Sequence, residues 1–189
     1  MFKKQTDNRV AVFFADGCEE IEGLTVVDLL FRAGIPCDMV SVSDSYQVTS
    51  SHEVTFLCNK LISEVDINAY AMLVLPGGIP GTPNLAATDA LMQAVDTFAA
   101  QGKPLAAICA APSIYAERGL LSGVRATANP GFQHVLVEKG ALLSKDPVVV
   151  DGPFITSQGA GTAVAFGLEI VRYFLGDAAV LRVRDGIAL

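Results

Sequence analysis

Short runs of uninterrupted apolar residues alternate along this chain with longer segments of helical periodicity. Residues 10–15, Met72–Leu75 and Leu105–Ile108 are such runs, and each stops at a small or turn-forming residue. Runs this short and this apolar are typical of parallel strands that are buried on both faces. Because strands separated by helices build a mostly parallel sheet covered on both sides, the sequence predicts an α/β fold.

The remaining segments complete this pattern. Further strands are predicted at 38–42, 148–150 and 154–156, a hairpin at 48–58, and helices at 19–33, 88–101, 110–118 and 163–175. In the first helix, Leu24, Val27, Leu30 and Phe31 are expected to face inward. Gly34 and Gly176 are expected to end the first and last helices. With 189 residues, 51% of them hydrophobic, the chain is expected to form a single domain over 1–189.

The charge of the chain argues against nucleic acid as its main partner. The formal net charge is −7, whereas nucleic-acid binders use a basic surface to displace counterions from phosphates. No segment approaches the ~20 apolar residues of a membrane helix, so no membrane partner is expected. The first nine residues are polar and lack the apolar stretch of a signal peptide, which leads us to expect a cytoplasmic location.

The cysteines do not form a metal-site pattern. They are Cys18, Cys37, Cys58 and Cys109. None forms a C-x-x-C pair, and none has zinc-site spacing to either histidine. Each is most simply a free thiol that packs as a small apolar residue. Since the sequence also lacks a glycine-rich phosphate loop, we predict no metal and no nucleotide cofactor.

Cys109 lies where the predicted strand Leu105–Ile108 passes directly into a predicted helix. Such a turn forces its central residue into a strained backbone conformation and needs small neighbours, and Ala107, Ala110 and Ala111 are small. Pro112 suits the first helical turn, where no N–H is needed. A helix N-terminus favours a thiolate, so the turn predicts a reactive cysteine with a lowered pKa. The alternative is a core cysteine that ends a strand.

Two glycines follow another predicted strand. The N–H groups of Gly77 and Gly78 could approach a reacting atom closely, as in an oxyanion hole, although an ordinary turn uses the same residues. Ligands bind beyond the carboxyl ends of parallel strands. We therefore expect this loop, the loop after residue 15 and the Cys109 turn to converge on one edge of the sheet.

The segment after the first strand contains three glutamates. Glu19 and Glu20 are explained by the preference for acidic residues in the first turn of a helix. Glu22 lies between the apolar Ile21 and Gly23. It is therefore the best candidate for a carboxyl group that faces inward.

Four motifs in order make this chain similar to a known family. They are residues 17–22 (GCEEIE), 74–78 (VLPGG, with Asn84 and Leu85 after it), 106–112 (AAICAAP) and 156–162 (TSQGAGT). Together they resemble the ThiJ/PfpI superfamily, and within it the branch of the Parkinson-disease-associated protein DJ-1, over nearly the full length. The resemblance implies a flavodoxin-like, doubly wound α/β fold with helices on both faces, and a homodimer.

The resemblance also implies functional roles. It makes Cys109 the reactive cysteine at a nucleophile elbow and Glu22 the carboxyl that hydrogen-bonds to its sulfur. It makes Gly78 and Ala110 backbone donors to a bound oxyanion, with Gly77 as an accessory residue. Members of the branch are known as glyoxalases without added cofactor, as deglycases, and as redox-regulated chaperones whose cysteine oxidises to sulfinic acid.

One position departs from the family pattern. The family's frequent active-site histidine falls within residues 127–130, where this chain has Asn129. Asparagine forms hydrogen bonds but accepts no proton near neutral pH. His134 is close in sequence and is an alternative base, and His52 is a further accessory candidate, as a rim residue or a surface residue. Because a Cys–His protease needs a base beside the thiol, the departure argues against a peptidase.

Three classes of function remain open at this stage. In the first, which we favour, Cys109 adds to a small reactive carbonyl compound such as methylglyoxal, or to a glycated adduct, and Glu22 transfers a proton. In the second, oxidation of Cys109 makes the protein a redox sensor or redox-regulated chaperone. In the third, the protein is a structural or interaction protein with an inactive site. The fold alone does not decide among them.

Overall fold

A seven-stranded sheet forms the centre of the protein, whose computed structural model describes residues 2–189. The strands in chain order are β1 (Val10–Phe14), β2 (Cys37–Ser41), β3 (Gln47–Thr49), β4 (Thr55–Leu57), β5 (Lys60–Leu61), β6 (Met72–Leu75), β7 (Leu105–Ile108), β8 (Arg125–Ala126), β9 (Leu142–Leu143), β10 (Val148–Asp151) and β11 (Phe154–Ser157). The sheet has the order β10-β11-β7-β6-β1-β2-β5. Only the pairing of β10 with β11 is antiparallel within it. The predicted mostly parallel α/β fold is confirmed.

Helices cover both faces of the sheet. They are α1 (Glu20–Ala33), α2 (Gly81–Ala86), α3 (Asp89–Ala100), α4 (Pro112–Glu117), α5 (Gln133–Glu138) and α6 (Ala163–Gly186). Short 3-10 helices occur at Ile62–Glu64, Ile67–Ala69 and Ala160–Thr162. The central strands β1, β6 and β7 are buried along their whole lengths. This agrees with their uninterrupted apolar sequences, because side chains on both faces of these strands pack against helices.

The inward face of α1 differs from the predicted one. Leu30 is buried as expected, but Phe31 is 52% exposed, and Val26 and Leu29 lie inside instead. The helix also turns Gly23 towards the sheet, where a Cβ atom would lie 2.2 Å from a ring carbon of Phe14. Leu24 and Val27 are partly buried against the core, so the predicted face overlaps the observed one. An inward glycine allows close packing but adds nothing to the apolar pattern, so the pattern alone does not give the observed rotation of the helix.

The chain continues as a helix beyond the predicted end of α6. Gly176 does break the regular backbone, with φ 74° and ψ −178°. A second helical segment then runs to Gly186, beyond the predicted end of the helix at residue 175. A single glycine in a non-helical conformation kinks the chain here without ending the helical region.

The loops after β1, β6 and β7 reach the same edge of the sheet. The register of these parallel strands places their carboxyl ends side by side. The two-residue strands β8 and β9 pair beside the sheet, and the short α5 lies between them in sequence. Such short elements have little periodicity of their own, which explains why the sequence did not predict them. Within residues 2–189, no helix has the combined length and apolar character that crossing a membrane requires.

Candidate active site

Cys109 has the strained backbone that the sequence predicted. Its φ is +67°, which is uncommon for a residue with a side chain and costs conformational energy. Its N–H donates to the carbonyl oxygen of Ser157 at 2.9 Å, and its own carbonyl accepts from the N–H of Asn129 at 2.8 Å. The surrounding chain therefore holds this conformation from two sides, and the half-buried thiol lies at the beginning of α4.

Glu22 is the inward carboxyl that the sequence indicated. It is only 1% exposed. Its Oε2 accepts a hydrogen bond from the N–H of Gly77 at 2.8 Å, and its side chain hydrogen-bonds to that of Cys109. The N–H of Ala160 also hydrogen-bonds to this carboxyl. Helix α1 thus brings an acid into direct contact with the thiol.

The two glycines after β6 allow the backbone to approach both groups. A Cβ atom at Gly77 would lie 2.6 Å from the Cβ of Cys109, and one at Gly78 would lie 2.3 Å from the backbone nitrogen of Glu19. Larger residues are therefore excluded. The N–H groups of Ala110 and Gly78 hydrogen-bond to the Cys109 sulfur, whereas the N–H of Gly77 is directed to Glu22.

Burial shifts the pKa of Glu22 upward. Loss of hydration destabilises the carboxylate and raises its pKa to about 7, while hydrogen bonds from Cys109 and from the backbone act in the opposite direction. A carboxyl group in this range can both hold and release a proton near neutral pH. That is the property required of a general acid or base.

The pKa of Cys109 is shifted in the direction opposite to the prediction. Burial and the nearby charge of an ionised Glu22 raise it to about 12, although the N–H groups of Ala110 and Gly78 lower it. The helix N-terminus does not offset these effects, since α4 begins only at Pro112, beyond Cys109. The predicted acidic thiol therefore depends on the protonation state of its neighbour.

Cys109 and Glu22 form one ionising unit. The repulsion that raises the thiol pKa also raises the carboxyl pKa once a thiolate has formed, since coupling between two groups is reciprocal. When Glu22 is protonated, the repulsion disappears and the carboxyl donates to the sulfur. The pair can exist as carboxylate and thiol, or as carboxylic acid and thiolate. These two states differ only in the position of one proton along the hydrogen bond between the two groups.

Comparisons with known proteins agree with this site. Residues 8–173 match the DJ-1/PfpI family. The chain belongs to the DJ-1/PfpI family. It is 36% identical to Protein DJ-1 homolog B of Arabidopsis thaliana over 89% of this chain and 38% of that protein. It is 31% identical to the Glutathione-independent glyoxalase DJ-1 of Schizosaccharomyces pombe, over 86% of this chain and 89% of that protein.

Solved structures of the DJ-1/PfpI family share the fold. The structure of Toxoplasma gondii DJ-1, oxidized, superposes with a TM-score of 0.91 at 32% identity, covering 96% of this chain and 98% of that one. The recognised family and the flavodoxin-like fold class are thereby confirmed. The chain spans less than half the length of the two Arabidopsis thaliana relatives, 38% of one and 44% of the other.

The histidines of this DJ-1/PfpI member do not take the place of the family histidine. His134 is exposed on α5, and its ring forms no hydrogen bond within residues 2–189, so the structure does not support it as the alternative base. His52 is exposed, and its Nδ1 lies 3.1 Å from Glu20 Oε2 and 3.6 Å from Glu19 Oε2. Hydrogen bonding to Glu20, and the charges of both glutamates, raise the pKa of His52.

These three side chains could also ligate a cation. The ligand atoms of Glu19, Glu20 and His52 lie within 4.8 Å of one another. Their positions are already explained by the hydrogen bond between His52 and Glu20. The absence of a metal cofactor therefore stays a prediction.

The motif at residues 156–162 contributes in a way that the sequence analysis did not anticipate. Ser157 accepts the N–H of Cys109, and Thr156 Oγ1 accepts the N–H of Thr127 at 3.0 Å. Gly159 borders the site, since a Cβ atom placed on it would lie 3.9 Å from Cys109 Sγ. A glycine-rich stretch directly after a strand was the available signal.

We expect Cys109 to be the most reactive of the thiols. Burial raises the pKa of Cys18, Cys37 and Cys58 to about 12 without a donor from another residue, whereas the Cys109 sulfur receives two backbone N–H groups. With limiting iodoacetamide at about pH 7.5, mass spectrometry should show that Cys109 is alkylated roughly 10-fold faster than the other three cysteines. Faster labelling of the half-buried Cys37 would contradict the assignment.

Proposed function

We propose that this protein is a cofactor-independent glyoxalase-type enzyme with Cys109 as nucleophile and Glu22 as proton carrier. The observation that carries the proposal is the contact between a buried carboxyl of raised pKa and a thiol that receives backbone N–H groups. The name of the Schizosaccharomyces pombe relative, a glutathione-independent glyoxalase, supports the same chemistry. Deglycation would use this site in the same way, with a glycated adduct as substrate.

The reaction follows from the groups present. The Cys109 sulfur adds to the aldehyde carbon of methylglyoxal, a C–S bond replaces the carbonyl π bond, and a proton reaches the oxygen. Glu22 then carries a proton between the two adjacent carbons, which converts the hemithioacetal into a thioester. Water hydrolyses the thioester to lactate and regenerates the thiol. Methylglyoxal and water are the only reactants, so no oxidant or reductant is needed.

A redox-sensing or chaperone function is the second candidate. The same contact favours it, because a protonated Glu22 would donate to the oxygens of a Cys109 sulfinate and oppose further oxidation. The oxidised state named for the Toxoplasma gondii structure is consistent with such chemistry in the family. In this case peroxide would switch the protein to a form that suppresses aggregation of a client protein.

Our proposals on oligomeric state, location and substrate follow from the family resemblance. We propose a homodimer in the cytoplasm that acts on a small reactive carbonyl compound. Asn129 in place of the family histidine argues against peptidase activity, since an asparagine cannot act as the base that a Cys–His protease needs beside its thiol.

A turnover assay distinguishes the two candidate functions. The purified protein should form lactate from methylglyoxal, measured enzymatically against a protein-free control and a control with the thiol blocked by iodoacetamide. Lactate above both controls supports the glyoxalase. Absence of turnover, together with peroxide-dependent suppression of citrate synthase aggregation, would replace it by the chaperone function.

A further inference from the structure

The side-chain amide of Asn129 has a defined orientation. The N–H of Gly131 can only donate, and it lies 3.1 Å from the Oδ1 of Asn129. This contact identifies the oxygen end of the amide and therefore the nitrogen end as well. The backbone N–H of Asn129 donates to the carbonyl of Cys109. The residue is thus anchored directly beside the nucleophile.

The Nδ2 end of this amide borders the same small space as the reacting groups. A Cβ atom placed on Gly159 would lie 3.5 Å from Asn129 Nδ2, 3.7 Å from Glu22 Oε1 and 3.9 Å from Cys109 Sγ. One point therefore lies within van der Waals range of an amide donor, a carboxyl oxygen and the sulfur. The space is free of protein side chain because residue 159 is a glycine.

Asn129 Nδ2 donates to no residue within the described range 2–189. Asn129 is partly exposed, so its donor is not a buried group without a partner. It faces the point that a Cβ atom of residue 159 would occupy, next to Glu22 and Cys109. An amide N–H in that position binds a carbonyl or hydroxyl oxygen, and it exchanges no proton near neutral pH.

A second oxygen site lies on the sulfur side. The N–H groups of Ala110 and Gly78, which hydrogen-bond to the sulfur, are placed to receive the oxygen that develops when the sulfur adds to a carbonyl carbon. Asn129 Nδ2 lies on the side of Gly159. The two donor sets suit a compound that carries oxygens on two adjacent carbons.

We propose that Asn129 is a specificity-determining residue that recognises the second oxygen of a 1,2-dicarbonyl compound through Nδ2. This inference rests on the proposed function and deepens it. In the addition step the sulfur forms a bond to the aldehyde carbon, the π electrons move to the first oxygen, and the proton of the thiol–carboxyl pair neutralises that oxygen. Asn129 holds the neighbouring oxygen and transfers no proton, which leaves proton transfer to Glu22.

The test compares two aldehydes of similar size in their ability to protect Cys109 from iodoacetamide. Methylglyoxal has two adjacent oxygens, whereas propionaldehyde has one. The concentration that halves the alkylation rate measures binding at Cys109 and does not require turnover. The wild-type protein should be protected by methylglyoxal at a concentration at least about 10-fold below that of propionaldehyde, after correction for the hydration of each aldehyde and for its affinity for a free low-molecular-weight thiol.

Two variants remove the donor and keep the local turn. In Asn129→Ser the hydroxyl still accepts the N–H of Gly131, as serine hydroxyls do in turns. The serine side chain is too short to reach the space beside Gly159. Asn129→Asp keeps the shape and the acceptor for Gly131 but replaces the donor by an acceptor. Both should weaken protection by methylglyoxal about 10-fold and leave protection by propionaldehyde within twofold of wild type. The alkylation rate of each variant without aldehyde corrects for altered thiol reactivity.

A third variant tests whether a donor restores recognition. Asn129→His presents an imidazole N–H and should recover part of the selectivity for methylglyoxal, while adding a second ionisation to the pH profile of protection. Equal weakening for both aldehydes, or unchanged selectivity in Asn129→Ser and Asn129→Asp, would overturn the inference. If the wild-type protein shows the selectivity but forms no lactate, the proposed enzymatic function fails while the role of Asn129 stands.

Discussion

Replacement of Cys109 by serine is expected to lower lactate formation from methylglyoxal by at least about 100-fold, because an unactivated hydroxyl is a far weaker nucleophile than a thiolate. The substitution changes one atom and leaves the backbone bonds of residue 109 to Ser157 and Asn129 in place. We therefore expect the thermal midpoint to remain close to that of the wild-type protein. Steady-state assays with quantified lactate measure the loss.

Cys37→Ser is the matched control. Cys37 begins β2 beside Val10, at the opposite end of the strands from the site. Its loss should leave turnover within about twofold of wild type, as is usual for substitutions away from the reacting groups. Turnover that survives in Cys109→Ser, or that is lost equally in both variants, would show that the reaction does not pass through the Cys109 sulfur.

The second large effect concerns Glu22. If the thiolate forms beside a protonated carboxyl, Glu22→Ala should raise the pKa of Cys109 by about one unit, since one charge-assisted hydrogen bond of roughly 1.5–3 kcal/mol is partly replaced by water. Glu22→Gln keeps a donor and should leave the thiol more acidic than in Glu22→Ala. The absorbance of the thiolate at about 240 nm, followed against pH, gives the pKa of Cys109 in each protein.

The direction of the shift decides between two ionisation states. An ionised Glu22 raises the pKa of Cys109 by repulsion, so its removal would lower that pKa in both variants. A fall in Glu22→Ala would therefore show that the pair exists as carboxylate and thiol, with Glu22 acting as general base. Cys109→Ser provides the baseline, because it removes the absorbance of this thiolate and leaves that of the other cysteines.

Turnover should separate these two variants as well. Glu22→Gln can donate a hydrogen bond but cannot carry a proton between carbons, so it should retain an acidic thiol and lose lactate formation by about 100-fold or more. Retained turnover in Glu22→Gln would assign proton transfer to another group. Glu22→Ala and Glu22→Gln thus distinguish two roles of Glu22, stabilisation of the Cys109 thiolate and transfer of the proton.

The parts of the site that lie on one short segment were predictable. The turn at Cys109 and the glycines after β6 combine a buried apolar strand with small residues, and that local chemistry alone indicates a strained residue and a close backbone approach. The resemblance then associated these segments with a family. The prediction of a lowered thiol pKa was the weakest part, because the pKa depends on burial and on Glu22, neither of which follows from the sequence near Cys109.

Tertiary structure decided which groups meet. Glu22 and Gly77 are 55 positions apart and form a 2.8 Å hydrogen bond, which requires the rotation of α1 that its apolar pattern did not reveal. A single space is bordered by Asn129, Gly159 and Cys109 only because the fold brings together the segments that follow β8, β11 and β7. The sequence by itself determined the buried central strands, the turn and the reactive residue types, since these depend on neighbours in the chain. The proton shared by Glu22 and Cys109, and the space that these residues border with Asn129, depend on contacts between distant segments. Only the folded structure brings those segments together.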